Sequence, residues 1–359
     1  MKNDQTLSKR LLTIAVPTFN RSVRLASNLE KILNEIKISK VEDKLALLVS
    51  DNNSTDDTEK VCTMFEAKYL NEGIDFKYFR NDSNLGFSSN VILSYFRAVS
   101  QYTLFFSDDD NLQSGFLNRL IEDINQYKFS VGLYNFIQPP YGEENLIIKD
   151  SKLISGQLAL EELESLILWP KLSGLVLRNN QESGRFERFK NQIPPDNVVG
   201  HVLLSIDQII QDPILYKSSS IAAYPDEDYR DHVNFVSYIG NYIRKDLEDY
   251  FVLNGITNKK LINAIKKIPN RNVVLYSLLS LSMYYKSETK LSKKMKNEVF
   301  QNIFIYLRGK KVSQSGLVLE NPYKNLSKVR TITYLLYILC LAIWARITKK
   351  KLYLMNEAF

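Results

Sequence analysis

The chain has 359 residues, 45% hydrophobic and 24% charged; it can bury a sizeable core, is inconsistent with global disorder, and suggests one large domain plus a smaller one, or two. Two cysteines, Cys62 and Cys340, argue against a disulfide scaffold and for a reducing, cytoplasmic compartment, and two histidines, His201 and His232, against a His/Cys zinc site. The net charge of +7 is uneven: residues 241–359 hold 22 Lys and Arg against 7 Asp and Glu, a basic region suited to an anionic surface, either membrane or nucleic acid.

The N-terminus from Met1 to Gln5 is polar and no apolar h-region follows, so no signal peptide is expected. Leu11 to Val16 is a β-branched-rich run that reads as a buried parallel strand, ended by Pro17-Thr18-Phe19-Asn20-Arg21. From Arg24 to Ile38 the apolar residues Leu25, Leu29, Ile32, Leu33 and Ile36 recur at helical spacing. Leu45 to Ser50 is a second strand. The polar octet Asp51 to Thr58 follows it, with Ser54 or Thr55 as the expected N-cap of a helix running to about Tyr69. Phe76 to Arg80 is a third strand, Phe87 to Ser100 a third helix, and Tyr102 to Phe106 a fourth strand. This alternation predicts an α/β fold with a mostly parallel sheet and right-handed crossovers. Polar residues follow each strand: Thr18 and Asn20, Asp51 and Asn53, Arg80 and Asn84, Asp108 to Asp110. In a parallel sheet those ends share one edge, where open α/β sheets bind ligands.

The fourth strand closes on three consecutive carboxylates, Asp108, Asp109 and Asp110. Such a cluster suits a hard divalent cation, Mg²⁺ or Mn²⁺, shared with phosphate oxygens. The same residues also read as a solvated turn capping the next helix. Neither G-x-G-x-x-G nor G-x-x-x-x-G-K-[ST] is present, which argues against a dehydrogenase or P-loop enzyme and leaves a metal to hold any phosphate.

Beyond this edge, Gln113 to Tyr127 reads as a helix and Ser130 to Ile137 as a strand, with a turn-rich loop from Gln138 to Asn145. Ser155 to Leu168 reads as a helix, Trp169 to Arg178 as a strand entered through a bend, and Asn197 to Ile210 as a helix capped by Asp196. Ile214 to Tyr216 and Ser220 to Tyr224 are short strands. From about Asp231 long helical segments take over, including Val273 to Tyr285 and the apolar Thr331 to Ile347 with lysines and arginines on both sides. The latter reads as an interfacial or core-docked helix rather than a span, with its lysines meeting anionic headgroups. Simple bundle packing, or association of two copies, is the other reading.

Four segments in order, Ile14 to Arg21, Val49 to Asp56, Asn84 to Asn90 and Ser107 to Leu112, resemble the family 2 glycosyltransferases of GT-A fold, the type that builds bacterial surface polysaccharide. The resemblance is specific over residues 10–125 and weaker to about 240. It implies a GT-A domain over residues 1–230, followed by a basic helical region over 231–359. By position it implies that Pro17, Thr18 and Asn20 line a nucleotide pocket, that Asp51 accepts a hydrogen bond from the base, and that Arg80 contacts base or phosphate. Asp109 would hold the ribose and Asp110 would ligate the metal, with Asp108 an additional carboxylate beside it. Asp196 matches the general base, although the Glu-Asp pair of many relatives is absent, and His201 is the second candidate.

The activity so implied is metal-dependent, inverting transfer of a sugar from a nucleotide diphosphate donor, UDP-linked, to a saccharide acceptor. The thiols, basic tail and apolar helix favour an acceptor carried on a membrane lipid, with the protein peripheral on the inner membrane face. Two rival readings are a nucleotidyltransferase of similar topology and a non-catalytic binding module. The first would want a Gly-rich basic loop after the first strand, which Pro17-Thr18-Phe19-Asn20 does not supply. Nucleic acid is disfavoured as a partner because the lysines are dispersed and no reading motif accompanies them.

Overall fold

Short apolar runs alternating with amphipathic stretches condense into one nine-stranded mixed sheet with helices on its faces. The computed structural model describes residues 10–137, 148–162, 171–180, 185–192, 200–225 and 249–255, with 257, 259, 262, 313–314 and 317–318. The strands are β1 (Leu12–Thr18), β2 (Leu45–Asp51), β3 (Asp75–Arg80), β4 (Tyr102–Phe105), β5 (Asp110–Leu112), β6 (Val131–Phe136), β7 (Lys152–Ser155), β8 (Leu175–Arg178) and β9 (Ile214–Pro225). The helices are α1 (Ser22–Ser39), α2 (Thr58–Asn71), α3 (Phe87–Arg97), α4 (Phe116–Tyr127), α5 (Gln157–Glu161), α6 (Arg185–Gln192) and α7 (Gly200–Gln211). The strand order is β3-β2-β1-β4-β8-β6-β9-β5, with β7 also on β9. The first four of these lie parallel, as the βα alternation predicts; β8 enters antiparallel to both β4 and β6.

The helical stripe Leu25, Leu29, Ile32, Leu33 and Ile36 is buried against β1 and β2 in the main core. Burying each such side chain contributes about 1.5–3 kcal/mol, so tertiary contact rather than helix propensity secures α1. Pro17 does not end β1 as expected. Ala15 accepts from Phe106 N–H on the β4 side, and Thr18 accepts from Asn52 N–H on the β2 side. Pro17 therefore turns its missing N–H toward β4, which has already stopped at Phe105, and nothing is lost.

Other departures have equally local causes. Of the expected helix from Ser155 to Leu168, Gln157–Glu161 forms α5 and residues 163–168 lie outside the described residues, while Ser155 instead ends β7, a short edge strand in which only Ile154 is buried. Its pattern is too brief to carry a period. The two short strands at Ile214 and Ser220 are one strand, β9, running through the polar Ser218-Ser219-Ser220. Asn135 carries this irregular stretch by donating from Nδ2 to Ser219 O at 2.9 Å, where the β6–β9 register shifts. Helix α6 arises where no element was expected, and α2 starts at Thr58 rather than at Ser54 or Thr55.

By its contacts the chain divides into residues 1–229 with 245–265, and residues 230–244 with 266–359. The described residues of the second unit form a two-stranded antiparallel ribbon, β10 (Ser313–Gln314) and β11 (Leu317–Val318). The apolar segments Val273 to Tyr285 and Thr331 to Ile347, and the loop from Gln138 to Asn145, lie outside the described residues. Among the described residues no helix is long and apolar enough to cross a membrane.

Candidate functional site

Parallel pairing brings the strand ends together: Thr18 lies opposite Asp51 and Asp51 opposite Arg80. The segment after β4 runs beside the end of β1, so the aspartates arrive next to Thr18 and Arg21. Thr18 Oγ1 donates to Asp108 Oδ2 at 2.7 Å. Arg21 Nη1 donates to Asp108 Oδ1 at 2.8 Å and to Asp109 Oδ2 at 3.0 Å. Ser107 Oγ donates to Asp109 Oδ1, and Asn28 Nδ2 donates to the Asp110 carbonyl at 2.6 Å, tying α1 to the triplet. The segment leading into β8 closes the far side: Ser173 Oγ donates to Asp110 Oδ2 at 2.5 Å and accepts from Ser107 N–H at 3.0 Å.

The three carboxylates are therefore unequal. Asp108 is 3% exposed and both its oxygens are engaged by Thr18 and Arg21. Burial pushes its carboxyl above the usual range, against the pull of Arg21. Burial and then the neighbouring Asp109 charge push Asp110 up to about 7. Lys171, half-buried over the Phe136 ring at 4.7 Å, has its ammonium lowered by burial, against the pull of Asp110 and Asp109. Asp108 and Asp109 thus share Arg21, while the cation that acts on Asp110 is Lys171, whose charged form burial disfavours. All the donors are hard oxygens, and a buried carboxylate crowded by a second one fits a hard dication. Among the described residues no three Asp, Glu, His or Cys side chains group into a metal cage. One or two carboxylates completed by phosphate and water is the arrangement Mg²⁺ ordinarily takes.

On the β2 side Asp51 is completely buried. Its Oδ1 accepts from Ser54 N–H at 2.9 Å and Ser54 Oγ at 2.5 Å, and its Oδ2 from the Tyr78 hydroxyl at 2.8 Å. Ser54 is thus occupied by Asp51, which is why it does not cap α2. Arg80 donates to the Ser54 carbonyl and to Glu59, both at 2.8 Å. Asn20 and Asn53 hold left-handed backbones, φ 54° and 67°, which asparagine tolerates better than most residues. Asn20 N–H donates to Ser54 Oγ at 2.9 Å, and its Oδ1 accepts from Thr55 N–H at 2.7 Å. Asn52 links the two loops: it donates to Asn84 Oδ1 at 2.7 Å and to the Gly86 carbonyl at 3.2 Å, and accepts from Leu85 N–H at 2.9 Å and Asn81 Nδ2 at 3.1 Å.

His201, on the first turn of α7, is 1% exposed and meets the Phe87 ring edge-on at 6.4 Å. Asp196 lies outside the described residues. The structure thus gathers Thr18, Asp108, Asp109 and Asp110 into one cluster and Asn20, Asp51 and Arg80 into another, joined by Pro17 to Arg21. Arg21, Tyr78, Lys171 and Ser173 belong to these clusters and were missed as site residues. Arg21 alone had a signal, since it closes the first strand-end motif.

Glycosyl transferase family 2 matches residues 13–166. A GalNAc(5)-diNAcBac-PP-undecaprenol beta-1,3-glucosyltransferase of Campylobacter jejuni is 36% identical over 117 residues, 32% of this chain and 35% of that protein. The chain thus matches about a third of the length of this curated relative. Among solved structures, the mannosyltransferase PcManGT of Pyrobaculum calidifontis, in complex with GDP-Man and Mn²⁺, superposes with a TM-score of 0.51 at 13% identity, covering 94% of this chain and 87% of that one. S. aureus TarS 1-349 gives a TM-score of 0.46 at 16% identity, covering 87% of this chain and 97% of that one. The mixed, mostly parallel sheet flanked by helices is of the GT-A type. Over residues 13–166, which include every strand-end cluster residue up to Asp110, the chain matches the glycosyl transferase family 2 model.

Proposed function

We propose that the protein is a divalent-cation-dependent, inverting glycosyltransferase that moves a sugar from a nucleotide diphosphate donor, UDP-linked, to a saccharide carried on a membrane lipid during surface polysaccharide assembly. The observation that carries this reading is the strand-end carboxylate cluster, buried and held by Thr18, Arg21 and Ser173, with Asp110 crowded by the neighbouring Asp109. The Campylobacter relative's name supports the lipid-linked acceptor, since it describes a glucosyltransferase acting on an undecaprenol-PP glycan.

In this reading Pro17, Thr18 and Asn20 line the nucleotide pocket, with Asp51 and Arg80 toward the base and Asp109 toward the ribose. Asp110, with Asp109 and Asp108 behind it, would hold Mn²⁺ or Mg²⁺. The bound cation would offset the charge that develops on the departing diphosphate. Arg21 fixes Asp108 and Asp109, and so sets the angle at which the triplet meets the diphosphate. An acceptor hydroxyl attacks the anomeric carbon opposite the diphosphate, the C–O bond to the diphosphate breaks, and a base on the acceptor side takes the hydroxyl proton. Asp196 is the proposed base. His201 is the second candidate, and its burial against Phe87 suits a supporting role. The basic region 231–359 would bring the protein to the anionic membrane surface.

The test is to incubate the protein with UDP-sugars, Mn²⁺ and lipid-linked saccharides and to follow the nucleotide product. Release of UDP with extension of the lipid-linked saccharide supports the proposal. Release of UMP or of sugar 1-phosphate in place of UDP, or extension unaffected by Asp110→Asn, contradicts it.

A further inference from the structure

The base side of the pocket has an arrangement that the reading above does not use. Asp51 is completely buried, and each carboxylate oxygen already accepts a hydrogen bond. Tyr78 keeps part of its surface open to solvent. Its cross-strand partner is Val49, two residues before Asp51, so Tyr78 and Asp51 are diagonal neighbours on the same sheet face. Its hydroxyl donates to Asp51 Oδ2 at 2.8 Å. Burial, and then that bond, raise the phenol well above its usual range, so it stays a proton donor toward Asp51.

A hydroxyl has one proton and two lone pairs. With the proton committed to a carboxylate, only lone pairs face outward, and the bond polarises the oxygen into a better acceptor. We propose that the Tyr78 hydroxyl, not the Asp51 carboxylate, touches the donor's base, and that it selects bases carrying a ring N–H (uracil, thymine or guanine) over cytosine and adenine. Asp51 is then a positioning residue: it keeps the hydroxyl from rotating to donate to a bare ring nitrogen. This inference rests on the nucleotide diphosphate donor proposed above.

Asp51→Asn makes a sharp probe. Ser54 N–H and Oγ would hold the amide oxygen on their side, which aims the amide nitrogen at Tyr78. The hydroxyl proton must then turn outward and meet a ring nitrogen lone pair. The experiment is calorimetric titration of UDP against CDP, and GDP against ADP, with Mn²⁺, on wild type, Tyr78→Phe, Asp51→Asn and the double variant, each checked by thermal melting.

Wild type should prefer the N–H partner of the pair it binds by about tenfold or more, the scale of one hydrogen bond to a polarised group. Tyr78→Phe should bring the ratio close to one, Asp51→Asn should shift it toward CDP or ADP, and the double variant should match Tyr78→Phe. Should Tyr78→Phe keep the wild-type ratio, or Asp51→Asn still shift it in the Tyr78→Phe background, Asp51 reads the base directly and the inference fails while the donor class stands. Should wild type bind none of the four nucleotides, the proposed function fails as well.

Discussion

Gly200, the first residue of α7, is placed where a side chain does not fit. A Cβ there would lie 2.7 Å from Ser88 Cβ, 2.9 Å from Ile92 Cδ1 and 3.0 Å from Ser88 Oγ. Carbon atoms rest about 3.5–4.0 Å apart, so Gly200→Ala must push α3 and α7 apart by roughly an ångström. The bond from Gly200 N–H to Ser88 Oγ, 2.8 Å and buried, lengthens with it. Overpacking costs about 1–3 kcal/mol and the weakened bond about 0.5–1.5 kcal/mol. Alanine's helix advantage offsets up to about 1 kcal/mol, and less at a first residue. The expected net loss is about 1–3 kcal/mol, read as a lower urea midpoint at unchanged slope. Ser88→Gly in the same chain removes both clashing Ser88 atoms, so the double variant should be about 1 kcal/mol or more better than the sum of the two singles. Additive losses, or a Gly200→Ala protein as stable as wild type, would refute the close helix contact. Because the proposed base Asp196 precedes α7 by four residues, turnover should also fall more than donor affinity.

Other outcomes are expected from the same structure. Arg21→Met leaves Asp108 buried with only Thr18 as partner; Arg21 is 39% exposed, so the loss is discounted to about 1–3 kcal/mol, measured by thermal unfolding, and nucleotide affinity should fall with it. Asn52→Ala strands Leu85 N–H, while the Asn81 and Asn84 amides each lose one bond and keep Asn90 and Gly86 N–H, costing about 1–3 kcal/mol, with faster hydrogen exchange at Leu85 as the local readout. Folding raises Asp110 from the ordinary carboxylate value to about 7, so between about pH 4 and 7 the folded state holds a proton that the unfolded chain has released. That group's stabilising effect is complete below about pH 4 and is lost as pH rises to 7. Asp110→Asn should therefore gain on wild type between pH 4.5 and 7 in metal-free buffer, and an equal difference at both pH values would contradict the crowding described for Asp110.

Much of the first 136 residues was legible because its signals are short-range. The Leu25 to Ile36 stripe needs only helical spacing, and the runs at Leu11, Leu45 and Tyr102 need only apolar continuity between turns. Parallel pairing then follows from the βα alternation, and with it the meeting of Thr18, Asp51, Arg80 and Asp108. What could not be read depends on long-range partners. Ser173 reaches Asp110 only because β8 inserts antiparallel beside β4. The Tyr78 hydroxyl looks like any strand tyrosine until the β2–β3 register sets it diagonal to Asp51. Residues 217–219 look like a break between two short strands until Asn135 bonds across to Ser219. Three adjacent aspartates do not reveal which partners each will meet; Thr18 and Arg21 at Asp108, against Ser173 at Asp110, set that difference only in the fold.

The central claim is that the triplet at the end of β4 binds a nucleoside diphosphate through a divalent cation. Calorimetric titration of UDP into wild type and Asp110→Asn, each with Mn²⁺ and then with EDTA, tests it most directly. The account predicts saturable heat for wild type with Mn²⁺, little with EDTA, and little for Asp110→Asn under either condition. Equal UDP affinity in Mn²⁺ and EDTA, or an unaltered isotherm for Asp110→Asn, would contradict it.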